Sequence, residues 1–136
     1  MILIRCILRG AIIAALLIGA FAWSQTYPDK PVTMVVGFPA GGGTDIVARK
    51  VGMPLGQLWN QPVVVENKGG AAGTIATAQV ARALPNGYTL FMATMGNMTI
   101  NQHLYAMPFD PVKDLTPITN VVGVSFVLVT RPNLGI

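Results

Sequence analysis

A short apolar run, a glycine-rich stretch and an amphipathic segment follow one another three times in this chain, and that order restricts the fold more than any other feature. Val32–Phe38 (VTMVVGF) has the length and β-branching of a buried strand, and Pro31 can open such a strand but not sit in its middle. Pro39-Ala40-Gly41-Gly42-Gly43 follows, then a helical stripe of Ile46, Val47, Ala48, Val51, Leu55 and Leu58. Thr44 or Asp45 is placed to cap its first turn. Pro54 predicts a kink or a break near Met53, and Gly52 and Gly56 weaken the same helix. The second cycle reads as a strand over Val63–Glu66, a loop over Asn67–Gly73 and a helix over Thr74–Leu84. Ile75, Ala78 and Val80 of that helix are expected to face the sheet, and Pro85-Asn86-Gly87 stops it. The third cycle is a strand over Tyr88–Met92, a loop over Ala93–Thr99 and a short helix over Ile100–Tyr105. Phe109–Leu115 reads as a loop, and Ile118–Thr130 as a long strand bent or bulged at Gly123.

Alternating strands and helices imply parallel pairing with right-handed crossovers, so the expected class is α/β, an open and mainly parallel sheet flanked by helices. In such sheets ligands sit beyond the carboxyl ends of the strands. All three polar loops would fall at that edge, which locates a candidate site there.

Upstream of this pattern, Arg5 and Arg9 form a basic region before the apolar stretch Gly10–Ala22, which ends in Ala20-Phe21-Ala22. This is the layout of a signal peptide with a small-x-small cleavage site. The expectation is therefore a signal over 1–22, cleaved after Ala22, and a linker over 23–31. The apolar stretch before Ser24-Gln25-Thr26 is shorter than the about 20 residues a membrane span needs. Cys6, the only cysteine, lies in the signal, so the mature chain has neither a thiol nucleophile nor thiolate metal ligands. The formal charge is +4, of which Arg5 and Arg9 supply two, leaving about +2 on the mature chain. Its basic residues are scattered, with no cluster interleaved with aromatics, which argues against a nucleic-acid partner.

The densest candidate is Gly37-Phe38-Pro39-Ala40-Gly41-Gly42-Gly43-Thr44-Asp45. Consecutive glycines admit a tight turn and keep bulk from a ligand, and free N–H groups at the next helix start can hold an oxyanion. A purely structural glycine turn is equally compatible with this shape. A phosphate-binding Walker loop would need lysine where Gly43 stands, and the dinucleotide fingerprint fails at Ile46. Nothing here calls for a cofactor. In the second loop Gly73 and Thr74 offer backbone N–H groups and a hydroxyl, while Lys68 is either a screen for a carboxylate or plain surface. In the third, Thr94, Asn97 and Thr99 carry donors suited to a carboxylate, or serve as helix caps.

Catalytic chemistry finds little support. His103 is the sole histidine, and no serine has a histidine and an acid at recognisable spacing. Asp45 and Glu66 resemble paired carboxylates, yet an acid in a first helical turn is favoured for other reasons. No metal-ligand cluster is present in the sequence. A glycine-loop enzyme would need a proton-transferring group facing the loops.

These residues resemble a known family. Tyr27-Pro28-Asp29-Lys30-Pro31-Val32, Gly41-Gly42-Gly43-Thr44-Asp45-Ile46-Val47-Ala48-Arg49, Val64-Val65-Glu66-Asn67-Lys68-Gly69-Gly70-Ala71-Ala72-Gly73, Ala83-Leu84-Pro85-Asn86-Gly87-Tyr88-Thr89-Leu90 and Phe109-Asp110-Pro111-Val112-Lys113-Asp114-Leu115 are similar to the substrate-binding proteins of tripartite tricarboxylate transporters, also called Bug receptors. The resemblance implies a periplasmic, non-catalytic, monomeric receptor of type II periplasmic-binding-protein-like fold, with two lobes closing on a small carboxylate that a membrane permease then receives. It further implies that the ligand is held by backbone N–H groups and ordered waters in the loops Phe38–Asp45, Gly69–Thr74 and Thr94–Thr99. The ligand-binding candidates are thus Phe38, Ala40, Gly41, Gly42, Gly43, Thr44, Asp45, Gly73, Thr74, Thr94, Asn97 and Thr99. Residues 32–117 would be the first lobe and 118–136 a crossover strand toward a second lobe, making the chain a fragment of such a receptor. The alternative expectation is a nonfunctional remnant, marked by exposed apolar surface along Val121–Val129.

Overall fold

The computed structural model of the chain describes residues Tyr27–Pro132, so the expected signal over 1–22 and the first part of the linker lie outside the described residues. Strands β1 (Val32–Val36), β2 (Val63–Asn67) and β3 (Thr89–Met92) form one parallel sheet in the order β2-β1-β3. The helices are α1 (Gly43–Trp59), α2 (Thr74–Ala81) and the short α3 (Asn101–Leu104), with a 3₁₀ turn at Ala71–Gly73 and a π turn at Gly96–Ile100. The alternation of strand and helix therefore produces the expected open α/β sheet. β1 is central because it is apolar on both faces: Val32, Val35 and Val36 are fully buried. Met34, Val36 and Met92 pack with Ala48 of α1 on one face, and Val35 packs with Ala76 and Val80 of α2 on the other. Register then fixes the site's location. Val36 stands level with Asn67 on one side and Met92 on the other, so all three following loops leave the sheet at one edge.

The opposite edge is closed by aromatic contacts. Tyr27 meets Tyr88 at 5.1 Å and Trp59 at 6.2 Å between ring centroids, both edge-on. The Tyr88 hydroxyl donates to Asp29 Oδ1 at 2.5 Å, and the Lys30 ammonium sits 4.6 Å from the Tyr88 ring centroid. This ties the segment before β1 to the start of β3.

Several expectations are corrected. Helix α1 runs through Pro54 without a break. Met53 and Pro54 are exposed, so the Lys50 carbonyl that loses its partner faces water, and the helix continues at lower cost than in a core. It ends at Asn60, which is left-handed at φ 51°, with the Gln61 N–H closing on the Gly56 carbonyl at 3.2 Å. Gly52 and Gly56, read as weak points, are where α1 lies against β2. A Cβ on Gly52 would meet Val63 Cγ1 at 3.2 Å, and one on Gly56 the Gln61 carbonyl at 3.2 Å. In α2 the buried face is Ala76, Thr77 and Val80, while Ile75 points outward at 55% exposure. Thr77 is buried because its hydroxyl donates to the Gly73 carbonyl at 2.9 Å, which leaves no unpaired polar group.

The largest correction concerns Ile118–Thr130, expected as a strand. It has no regular structure, and Val124, Phe126, Val127, Leu128 and Val129 are each at least 70% exposed. A strand needs a partner for its N–H and C=O groups, and no segment among the described residues pairs with this one. By contrast the preceding loop is well tied. Asp110 accepts from the Val112 and Lys113 N–H groups, and Leu115 packs against the Val35, Ala76 and Val80 cluster.

Candidate functional site

The first loop gets its shape from one buried carboxylate. Asp45, in the first turn of α1, is 3% exposed. Its Oδ2 accepts the Gly41 N–H at 2.8 Å and the Arg49 Nε–H at 3.0 Å, and its Oδ1 accepts from Asn67 Nδ2 at 3.0 Å. Asn67 also donates to the Phe38 carbonyl at 3.1 Å and accepts from Arg49 at 3.1 Å. The loop is therefore hooked at both ends to α1 and to the last residue of β2. Hydrogen bonding from Arg49, then from the Gly41 N–H and Asn67, holds the Asp45 carboxyl down at about 2 from its usual 3.8. The same pairing raises the Arg49 guanidinium above its ordinary value. Asp45 was expected as a possible cap; Gly42 occupies the cap position without a side-chain bond, and Asp45 reaches back to the residue before it.

With Asp45 facing inward, the start of α1 is open. Gly42 donates to the Pro39 carbonyl and Ile46 to the Gly42 carbonyl, whereas the N–H groups of Gly43, Thr44 and Asp45 have no protein acceptor among the described residues. Of the three glycines only Gly41 is left-handed, at φ 83°. A Cβ on Gly43 would meet nothing within 4 Å, so the space beside that residue is open. Phe38 turns its ring into the core beside Val36 and Ala48, and contributes its carbonyl to the Asn67 hook. Ala40 and Gly41 are exposed.

The second loop rests directly on the first. The Lys68 N–H donates to the Val36 carbonyl at 2.8 Å. A Cβ on Gly37 would lie 3.0 Å from Gly73 Cα, so the end of β1 and the turn before α2 touch through backbone alone. Lys68 pairs with Glu66 at 3.1 Å, and Asp45 pairs with Arg49, so the two acids do not form a carboxylate pair. Thr74 directs its hydroxyl to the Ala71 carbonyl at 2.9 Å.

The third loop joins the second through buried amides. Asn97, 1% exposed, accepts the Thr94 N–H at 3.0 Å and its hydroxyl at 2.8 Å, and donates to the Ala72 carbonyl at 2.9 Å. Asn101 donates to the same carbonyl at 2.9 Å. Thr99 is exposed and returns its hydroxyl to the Met95 carbonyl. His103 is exposed, 3.3 Å from Gln102.

The structure thus gathers the three loops at one sheet edge, with charge neutralised locally and backbone donors left open. Three residues that sequence reasoning missed do much of the gathering: Arg49, Asn67 and Asn101. Arg49 had a signal in its i,i+4 spacing from Asp45. Asn67 had one in its place at the end of β2, just before a glycine run. Asn101 had none, since its use depends on the π turn.

Comparison with known proteins identifies relatives of the chain. The family described as tripartite tricarboxylate transporter family receptor matches residues 47–136. Protein BugT of Bordetella pertussis is 39% identical over 127 residues, covering 92% of this chain and 39% of that one. MatC from Rhodopseudomonas palustris with bound malate is 38% identical, with a TM-score of 0.67 over 70% of this chain and 33% of that one. A structure described as that of a periplasmic transporter is 47% identical, with a TM-score of 0.61 over 64% of this chain and 30% of that one. The chain therefore spans less than half the length of these relatives. Its sheet and helices have the architecture of one lobe of the periplasmic-binding-protein type.

Proposed function

As the chain belongs to the tripartite tricarboxylate transporter receptor family, we propose that its three loops form one wall of a binding site for a small carboxylate. The observation that carries this reading is the open start of α1. Three N–H groups, at Gly43, Thr44 and Asp45, have no protein acceptor among the described residues and stand beside the loop that the Asp45–Arg49–Asn67 hook holds in place. Backbone donors at a helix start suit a carboxylate, reinforced by the helix dipole. The malate in a related structure supports the carboxylate class. In this reading Phe38, Ala40, Gly41 and Gly42 shape the first loop, and Gly73, Thr74, Thr94, Asn97 and Thr99 form or support the other two. The work is binding and not catalysis, in keeping with a family of transport receptors. The receptor is periplasmic, exported by a signal over Met1–Ala22 that is removed, and it delivers its ligand to a membrane permease as a monomer.

Calorimetry of the mature chain with malate and a panel of other small carboxylates tests this. One of them should bind with a measurable constant, and Gly42→Val should abolish binding, because a Cβ there already meets the Pro39 carbonyl at 3.3 Å. Unchanged affinity in that variant would move the site elsewhere. A second reading has one specific observation in its favour. The exposed apolar residues along Val121–Val129 fit a chain that is exported but binds nothing. No cooperative thermal transition under any condition would decide for it.

A further inference from the structure

The second loop contains a run of backbone that L-residues rarely adopt. Gly70, Ala71, Ala72 and Gly73 all have positive φ, at 130°, 45°, 53° and 87°. For the two alanines this conformation carries a steric cost that glycine does not have, so something must hold it. Two side-chain amides hold it. Asn97 and Asn101 both donate to the Ala72 carbonyl at 2.9 Å, filling both of its lone pairs. They stand four residues apart in and just after the π turn Gly96–Ile100, on the side that meets the second loop. Asn97 is fixed in orientation, because its Oδ1 already accepts from both the Thr94 N–H and its hydroxyl. A flipped amide would set donor against donor there, and acceptor against acceptor at Ala72. The preceding peptide group is fixed as well, since the Ala71 carbonyl accepts from the Thr74 N–H and hydroxyl. In a trans peptide the N–H points opposite its C=O, so the Ala72 N–H is aimed away from Thr74. The N–H groups of Ala71 and Ala72 have no protein acceptor among the described residues, and successive N–H groups in such a turn make an anion-binding concavity.

We propose that Asn97 and Asn101 are positioning residues which, through the Ala72 carbonyl, hold the turn Gly70–Gly73 left-handed, so that the Ala71 and Ala72 N–H groups donate to the ligand. This rests on the carboxylate-receptor reading, and it gives Asn97 a role behind the site in place of ligand contact. It also lets the third loop set affinity through Asn97 and Asn101, apart from any contact of its own with the ligand.

The test is a double-mutant cycle on the full mature chain between Asn101→Ala and Ala72→Gly, with malate as the calorimetric probe. Glycine takes positive φ without help. Asn101→Ala alone should raise the malate Kd by about tenfold or more, and the same change in the presence of Ala72→Gly should raise it less than about threefold. An equal loss in both backgrounds would overturn the proposal, because a general packing role would not be suppressed at Ala72. Asn101→Ser, which keeps a donor, provides a milder variant should the alanine form not fold. Amide hydrogen exchange at Gly73 in ligand-free protein, where the buried N–H donates to the Gly70 carbonyl at 2.9 Å, supplies a readout independent of the ligand. Asn101→Ala should speed it, and Ala72→Gly should restore it at Gly73. Absence of malate binding by the parent chain would count against the carboxylate reading, while unchanged exchange in Asn101→Ala would count against the clamp itself.

Discussion

Replacing Gly37 by alanine should destabilise the chain by about 1–3 kcal/mol, whereas the same replacement at Gly43 should be neutral or stabilise it by up to about 1 kcal/mol. The two sites differ in what a methyl group would meet. At Gly37 it would sit 3.0 Å from Gly73 Cα, 3.4 Å from the Gly73 carbonyl and 3.5 Å from Ala76 Cβ. Carbon atoms prefer about 3.5–4.0 Å, so the neighbour must retreat by roughly half an ångström or more. That neighbour is backbone, and it is itself wedged, because a Cβ on Gly73 would collide with the Asn97 amide nitrogen. Nothing nearby rotates away to relieve the overlap. At Gly43 the methyl group would have no atom within 4 Å, and the residue already begins a helix, so alanine mainly narrows the unfolded ensemble. Thermal and urea unfolding followed by circular dichroism would measure both variants. At about 4–8 °C per kcal/mol for a domain near this size, Gly37→Ala should lower Tm by roughly 5–20 °C and leave the urea m-value unchanged. A Gly37→Ala melt within about 2 °C of the parent would refute the close contact between the end of β1 and the second loop, and with it the account of how the loops are joined.

Asp45→Asn should cost stability in a pH-dependent way. Because the folded carboxyl titrates at about 2 against a usual 3.8, its contribution is complete above about pH 5 and is lost as the pH falls through that interval, so the Tm gap between parent and variant should close toward pH 2; a gap independent of pH would remove the carboxylate from the argument. Phe126→Lys with Leu128→Lys should suppress concentration-dependent association of the 136-residue chain in analytical ultracentrifugation, since the parent exposes Phe126 at 87% and Leu128 at 101%; a parent that stays monomeric at every concentration would contradict this. His103→Ala should leave carboxylate affinity within about a factor of three by calorimetry, because the ring is exposed; a larger loss would reopen a direct role for it.

The fold was legible because it is written in period and composition. Val32–Val36 has no polar face, so it had to lie at the centre of a sheet, and the glycine runs after the first two strands announced the turns. What misled was local propensity read without its surroundings. Pro54 signals a break by propensity alone, but exposure at that position lets water take up the freed carbonyl and lowers the penalty. The β-branched run at Ile118–Thr130 reads as a strand from composition alone, but strand formation is decided by a partner, and the described residues offer none.

The candidate site divides along a similar line. Its open backbone donors were readable as one of two uses of the glycine run, since the helix start that follows leaves N–H groups free, while a purely structural turn fitted the sequence as well. The side chains that aim those donors were not, because each acts across a gap in sequence. Asn67 reaches 22 residues back to Asp45, and Asn101 reaches 29 back to Ala72. Both spend their amides on backbone or on an already paired carboxylate, so neither shows the spacing by which ligand-contacting residues are recognised. Alanine at 72 hides the turn further, for the sequence offers no glycine to mark a left-handed position that the structure nonetheless enforces. In the proposed site the glycines mark where the backbone donors lie and distant amides aim them, so the proposal expects substitutions at those amides to change affinity without contacting the ligand.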